Sequence, residues 1–218
     1  MRPTDHLQSL CAEDWQAATR HAFTDQLAAG TLPEDRMLAY LRQDYLFIDG
    51  FVRLLASAIA HAPTLPDAIP AAQFLGLISG AENTYFLRAI EALGGQAEPP
   101  APPHPITAEF QTVMRDAAQS GRYAQMLAVL VVAEWSYLDW ATPHAEKAHD
   151  LPFWFGEWIT LHSGEGFEGV VAYLRGQLDA VWPGLSPEEQ RAVEATFTHA
   201  TRLERAFFDA ALAGYPET

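Results

Sequence analysis

Four acidic residues sit at positions that surface carboxylates normally avoid. At helical spacing, one stripe runs Met37, Leu41, Asp44, Ile48, Phe51, Leu55, and a second runs Ala71, Leu75, Ile78, Glu82, Tyr85, Ala89. A third runs Leu127, Leu130, Glu134, Tyr137, Ala141, and a fourth runs Val193, Phe197, Ala200, Glu204, Phe207, Ala211. Each stripe is apolar except for one carboxylate near its middle. A carboxylate inside a helical bundle is costly unless it is paired, hydrogen-bonded or protonated. For any single member, a helix rim or a structural ion pair explains it equally well. Four on four helices point instead to a shared pocket, which is how a bundle builds an active site.

Two chemistries use such a constellation. A di-iron or di-manganese centre wants Glu-x-x-His on two of the helices. Here the residues three positions after the four carboxylates are Phe47, Tyr85, Tyr137 and Phe207, all aromatic. The chain's one Glu-x-x-His, Glu146 to His149, follows Pro143 and has no second copy, so no metal is expected, although His61, His162 and His199 leave the option open. The second chemistry is recognition of a flat, nitrogen-rich heterocycle. Aromatic faces stack on such a ring while carboxylates accept hydrogen bonds from its N–H and amino groups. For Phe207 and Tyr85, simple core filling is the preferred explanation.

The elements that must position these residues are helices. The chain has 218 residues, 49% apolar and 19% charged, which suits one folded domain over 1–218 and excludes a disordered chain. Leu38, Leu41, Tyr45, Ile48, Val52, Leu55 and Ile59 step by three and four residues, and alternating β patterns are almost absent. We expect an all-α bundle of about seven or eight helices. Thr31 with Glu34 reads as one capping box, and Ser186-Pro187-Glu188-Glu189 as the start of the last helix. The proline-rich stretch 98–105 reads as a long helix–helix connection, and the apolar run Met126 to Ala133 as a buried helix. Net charge is −15, which argues against nucleic-acid or anionic-membrane partners. A lone cysteine, Cys11, fits a reducing compartment. With neither a signal-like start nor a membrane-length apolar run, a soluble cytoplasmic protein is expected.

The chain resembles the TenA family, thiaminase II and related aminopyrimidine hydrolases. The likeness begins at His21-Ala-Phe23 and Gly30-Thr-Leu-Pro33 and is sharpest at Tyr40-Leu-Arg-Gln-Asp44-Tyr-Leu-Phe47-Ile-Asp-Gly-Phe51. It resumes at Ser120-Gly121-Arg-Tyr123-Ala, Trp135-Ser-Tyr137, Phe153 to Ile159, and Glu204. The resemblance implies a haem-oxygenase-like fold, usually without haem, and a homotetramer or homodimer. It also implies hydrolytic salvage of thiamin or its degraded pyrimidine half, with no cofactor. By the same resemblance Asp44 holds the pyrimidine amino group and ring nitrogen, Glu204 acts as acid/base, and Tyr137 lines the pocket.

This sequence departs from the family's better-known branch, which has tyrosines at the places of Phe47, Phe110 and His162 and a nucleophilic cysteine at that of Ala133. Cys11 lies elsewhere and reads as a small buried hydrophobe. A second branch replaces the cysteine by an active-site glutamate, a part open to Glu134, for which a structural ion pair is the competing explanation. The expected catalytic set is therefore Glu204, Glu134 and Asp44. Phe47, Phe51, Tyr137, Phe110, His162 and Glu82 are expected to line the substrate. Aminomethyl or N-formylaminomethyl pyrimidines suit a cysteine-free site better than intact thiamin. An oxidase on the same fold and a non-catalytic pyrimidine-binding protein are the alternatives.

Overall fold

The computed structural model describes residues 1–98 and 102–216. Every element of regular structure among them is helical: α1 (Pro3–Leu10), α2 (Ala12–Thr19), α3 (Ala22–Ala28), α4 (Glu34–His61), α5 (Leu65–Leu77), α6 (Asn83–Ala92), α7 (Pro105–Gln119), α8 (Tyr123–Ala141), α9 (Phe153–Leu161), α10 (Gly164–Val181) and α11 (Pro187–Ala213). A π-helical turn, Ile78–Glu82, joins α5 to α6, and 3₁₀ segments cover Thr142–Asp150 and Trp182–Gly184. The described helices outnumber the seven or eight expected because the N-terminal segment breaks twice and the π turn divides the helix expected through Ala71 and Ala89 into α5 and α6. Cys11 sits between α1 and α2, and His21 starts α3 by accepting the Phe23 N–H on its ring nitrogen.

α8 is the axis of the molecule. Mostly apolar around its circumference, it offers little to solvent, and Met126 through Tyr137 are buried without interruption. The long helices α4 and α11, with α7 and α10, pack around it. α9 lies across the 3₁₀ segment so closely that a side chain at Gly156 would run into the Ala148 carbonyl.

Local signals were kept in one place and overridden in another. Ser186 caps α11 through a complete capping box with Glu189. The Thr31–Glu34 box does not form: Gly30 leaves α3 at φ +68° and Pro33 becomes the N-cap of α4, so Thr31 lies outside it. Of the proline-rich connection, residues 99–101 lie outside the described residues. Its far end is held by Gln43, which donates from its amide nitrogen to the Pro102 carbonyl (2.9 Å) and accepts on its amide oxygen from the His104 N–H (2.9 Å) and the Thr107 hydroxyl (2.7 Å). Among the described residues, no helix is long and apolar enough to cross a membrane.

Candidate active site

Three long helices carry three of the four singled-out carboxylates inward: Asp44 on α4, Glu134 on α8 and Glu204 on α11 are all buried. The fourth, Glu82, ends the π turn and is half-buried. A π turn holds one residue more than an α turn, so the residues after it are rotated relative to α5. At that end Glu82 lines a cleft of about 240 Å³ between the π turn, α9 and α10, together with Phe74, Leu161 and Phe167.

The other three acids all feel the charge of Asp44. Burial pushes Asp44 up to about 7, and the Tyr40 hydroxyl one turn earlier offsets part of that rise. Burial, then the charge of Asp44, pushes Glu82 up to about 8. Glu204 rises well above the ordinary range for the same two reasons. Glu134 does so through burial and then Glu82, Glu204 and Asp44. No ion pair among the described residues involves any of the four. The structural ion pair considered for Glu134 is therefore absent among those residues. The polar neighbours of Glu82 in sequence are engaged elsewhere: Asn83 accepts from the Tyr45 hydroxyl, and Arg88 pairs with Glu157. Like charges confined in an apolar pocket hold protons, so these groups are acids poised to donate.

An aromatic lining surrounds them. Tyr40 and Tyr137 share a hydrogen bond (2.7 Å) between their hydroxyls, and the Trp158 indole N–H donates to Tyr40 (3.2 Å). The Tyr137 and His162 rings stand 4.8 Å apart. His162 donates its Nδ1–H to the Trp158 carbonyl (2.9 Å), which leaves Nε2 as a bare acceptor. Burial presses its pKa down to about 4, so the ring is neutral. Phe47 packs on Phe110 at 4.9 Å and faces Phe207 at 6.4 Å, with Phe51 behind it against Phe74. Tyr85 is spent on the core: it stacks on Trp158 and donates to the Trp154 carbonyl.

Three residues of this environment were not foreseen. Tyr40 stands one turn before Asp44 on the same helix, a spacing that could have flagged it. Trp158 comes from α9, and Tyr215 follows the last helix. No periodic signal reaches either of them.

Ala133 is buried and inert, while the Cys11 thiol is raised in pKa by burial and contacts Thr201 and two carbonyls of α1. Glu146 and His149 lie exposed on the 3₁₀ segment, and no group of three or more His, Cys, Asp or Glu among the described residues converges as a metal site.

Comparison with known proteins agrees with this geometry. The TENA/THI-4/PQQC family matches residues 11–214. An aminopyrimidine aminohydrolase of Halalkalibacterium halodurans is 27% identical over 201 residues, covering 90% of this chain and 89% of its own. One from Bacillus subtilis is 23% identical, covering 95% and 89%. The solved structure of a TenA homologue from P. horikoshii OT3 superposes with a TM-score of 0.85 at 22% identity, over 98% of this chain and all of that one. The shared fold is the haem-oxygenase-like helical bundle.

Proposed function

Because the chain belongs to the TENA/THI-4/PQQC family, and because α4, α8 and α11 bury three carboxyl groups without ion pairs within electrostatic reach of one another, we propose that it is a metal-free C–N hydrolase of thiamin salvage. It acts on aminomethyl or N-formylaminomethyl 2-methyl-4-aminopyrimidines and releases the hydroxymethylpyrimidine. The single observation that carries this reading is Glu204, buried beside Asp44, with one carboxyl oxygen lacking a partner and its proton held firmly. A leaving amine needs that proton. A thiazole leaving from thiamin is already neutral on departure and gains nothing from it, and Ala133 supplies no thiol to attack the ring.

In the proposed reaction Asp44, as the acid, pairs with the 4-amino group and the adjacent ring nitrogen. As the C–N bond breaks, Asp44 passes its proton to that ring nitrogen, its carboxylate takes one from the amino group, electron density moves from the amino nitrogen through the ring, and Glu204 protonates the departing nitrogen. Water then adds to the exocyclic methylene. One of its protons goes to Glu204 while the hydroxyl stays on the methylene carbon, and Asp44 returns the proton it took to the amino nitrogen as the ring nitrogen gives its own back. Glu134, kept neutral by burial and then by its three acidic neighbours, orients the water rather than deprotonating it. Phe47, Phe110, Tyr137 and His162 line the ring, Phe51 backs Phe47, and Glu82 stands at the cleft.

The test is a product assay on metal-stripped protein with thiamin, 4-amino-5-aminomethyl-2-methylpyrimidine and its N-formyl derivative. Conversion of an aminomethyl substrate but not thiamin is the expected result. No conversion of any substrate refutes the reaction, and activity only after iron or manganese is restored favours an oxidase. The family resemblance also supports a cytoplasmic homotetramer or homodimer, and exposed Leu65, Ile69 and Leu77 on α5 offer apolar surface for assembly. Light scattering on the eluted protein tests the assembly.

A further inference from the structure

The C-terminal turn is built with more care than a chain end requires. α11 closes in a Schellman turn. The Gly214 N–H donates to the Ala211 carbonyl (3.0 Å), and the Tyr215 N–H reaches back to the Ala210 carbonyl (2.8 Å). Gly214 adopts φ +80°, and the Arg36 guanidinium at the start of α4 bonds the Ala213 carbonyl. Tyr215 is the one non-glycine residue at positive φ among those described, at 50°. Left-handed backbone at a bulky aromatic is costly and persists only where surrounding contacts impose it.

The surroundings that hold Tyr215 lead inward. Its ring is set edge-on between His104 (5.2 Å) and Phe207 (5.7 Å), and Phe207 in turn stands 5.9 Å from Tyr40 and 6.4 Å from Phe47. The phenol oxygen is buried without a hydrogen-bond partner, and so is one carboxyl oxygen of Glu204. Asp44 and Glu204, after burial itself, both drive the phenol's pKa upward, and Tyr215 acts in turn on Tyr40 and Tyr137. Two unpartnered buried polar atoms in one pocket are costly unless a ligand satisfies them.

The chemistry of the ring says which ligand group is left over. A 4-aminopyrimidine presents two ring-nitrogen acceptors. Asp44 meets the one beside the amino group, and the other still needs a donor. Phe47 and Phe110 have none, His162 offers only a bare nitrogen, and the Tyr40 hydroxyl serves Asp44 while the Tyr137 hydroxyl bonds Tyr40. We propose that Tyr215 is a substrate-binding residue whose hydroxyl donates to the ring nitrogen remote from the amino group. This inference rests on the function proposed above. It gives the unpartnered phenol of the last turn a ligand atom to meet.

The test measures binding of 4-amino-5-hydroxymethyl-2-methylpyrimidine by calorimetry to wild type, Tyr215→Phe and Asp44→Asn. It is repeated with 2-amino-3-hydroxymethyl-6-methylpyridine, in which the remote nitrogen is replaced by CH. For Tyr215→Phe the expected loss is about tenfold for the pyrimidine and less than about twofold for the pyridine. Tyr215→Ala, which also removes the ring contacts, gives a second variant should the first prove uninformative in expression. The inference is overturned if Tyr215→Phe binds the pyrimidine like wild type while Asp44→Asn does not, or if it loses both ligands equally, the mark of a purely structural role. Failure of wild type to bind either ligand overturns the functional reading itself.

Discussion

Replacing Asp44 by Asn should make the protein more stable and less able to bind, with a pH signature that follows from burial. Asp44 has an ordinary pKa of 3.8, is 3% exposed and is pushed up to about 7 in the fold. A carboxyl raised in this way costs nothing below its unfolded pKa. Above it, the unfolded chain releases a proton that the native state keeps, so stability falls as pH rises from about 4 to about 7 and then levels off. Linkage over that interval puts the cost at about 1.7 kcal/mol at pH 5 and about 4 kcal/mol at pH 8. Asparagine has the same shape and no proton to hold, so its advantage over wild type should widen by about 2.5 kcal/mol between pH 5 and pH 8. Urea denaturation of both proteins at the two pH values measures the gap directly, and in thermal scans it amounts to roughly 5–10 °C. A gap that stays constant or narrows would mean that Asp44 is ionised and solvated in the native state, and the account of an acid pocket would fail with it.

Glu204→Gln keeps the shape of a protonated carboxyl but removes the transferable proton. Turnover of the aminomethyl substrate should drop by about 10²–10⁴-fold with folding intact by circular dichroism, and near wild-type turnover would refute the acid role. His162, pressed down to about 4 from 6.5, should make the protein acid-labile. Its buried neutral ring loses stability as pH falls from 6.5 towards 4, at most about 3 kcal/mol, and His162→Gln should flatten that limb in denaturation at pH 4.5. Gly156→Ala should cost about 3 kcal/mol or more, read as a lowered urea midpoint, because the new methyl meets the Ala148 carbonyl rather than a yielding side chain.

Much of this was legible because helical periodicity reports burial. The stripes through Asp44, Glu134 and Glu204 are what the bundle buries, and the lone carboxylate in each is buried with its stripe. Periodicity faltered at Glu82, where the π turn inserts a residue that no spacing rule anticipates, and at Thr31, where the backbone at Gly30 and Pro33 outweighed a correct capping pattern. It was silent on Trp158 and Tyr215. Their roles depend on how α9 crosses the 3₁₀ segment and how the chain turns after α11. Both are tertiary arrangements set by Gly156 against Ala148 and by Arg36 against the Ala213 carbonyl.

The burial of α8 also constrains how the protein is made. Its run from Met126 to Ala133 is uncharged and rich in β-branched residues, the kind of segment that associates with other chains while uncovered. α11 is among its main covers, yet α11 ends at Ala213, some 72 residues beyond the end of α8 at Ala141. At ordinary synthesis rates that interval lasts roughly 4–14 s, during which the nascent chain carries its most adhesive helix without its lid. The helix that ends this exposure is the one that delivers Glu204. An unfinished chain therefore lacks both the acid of the site and the cover that keeps α8 from aggregating.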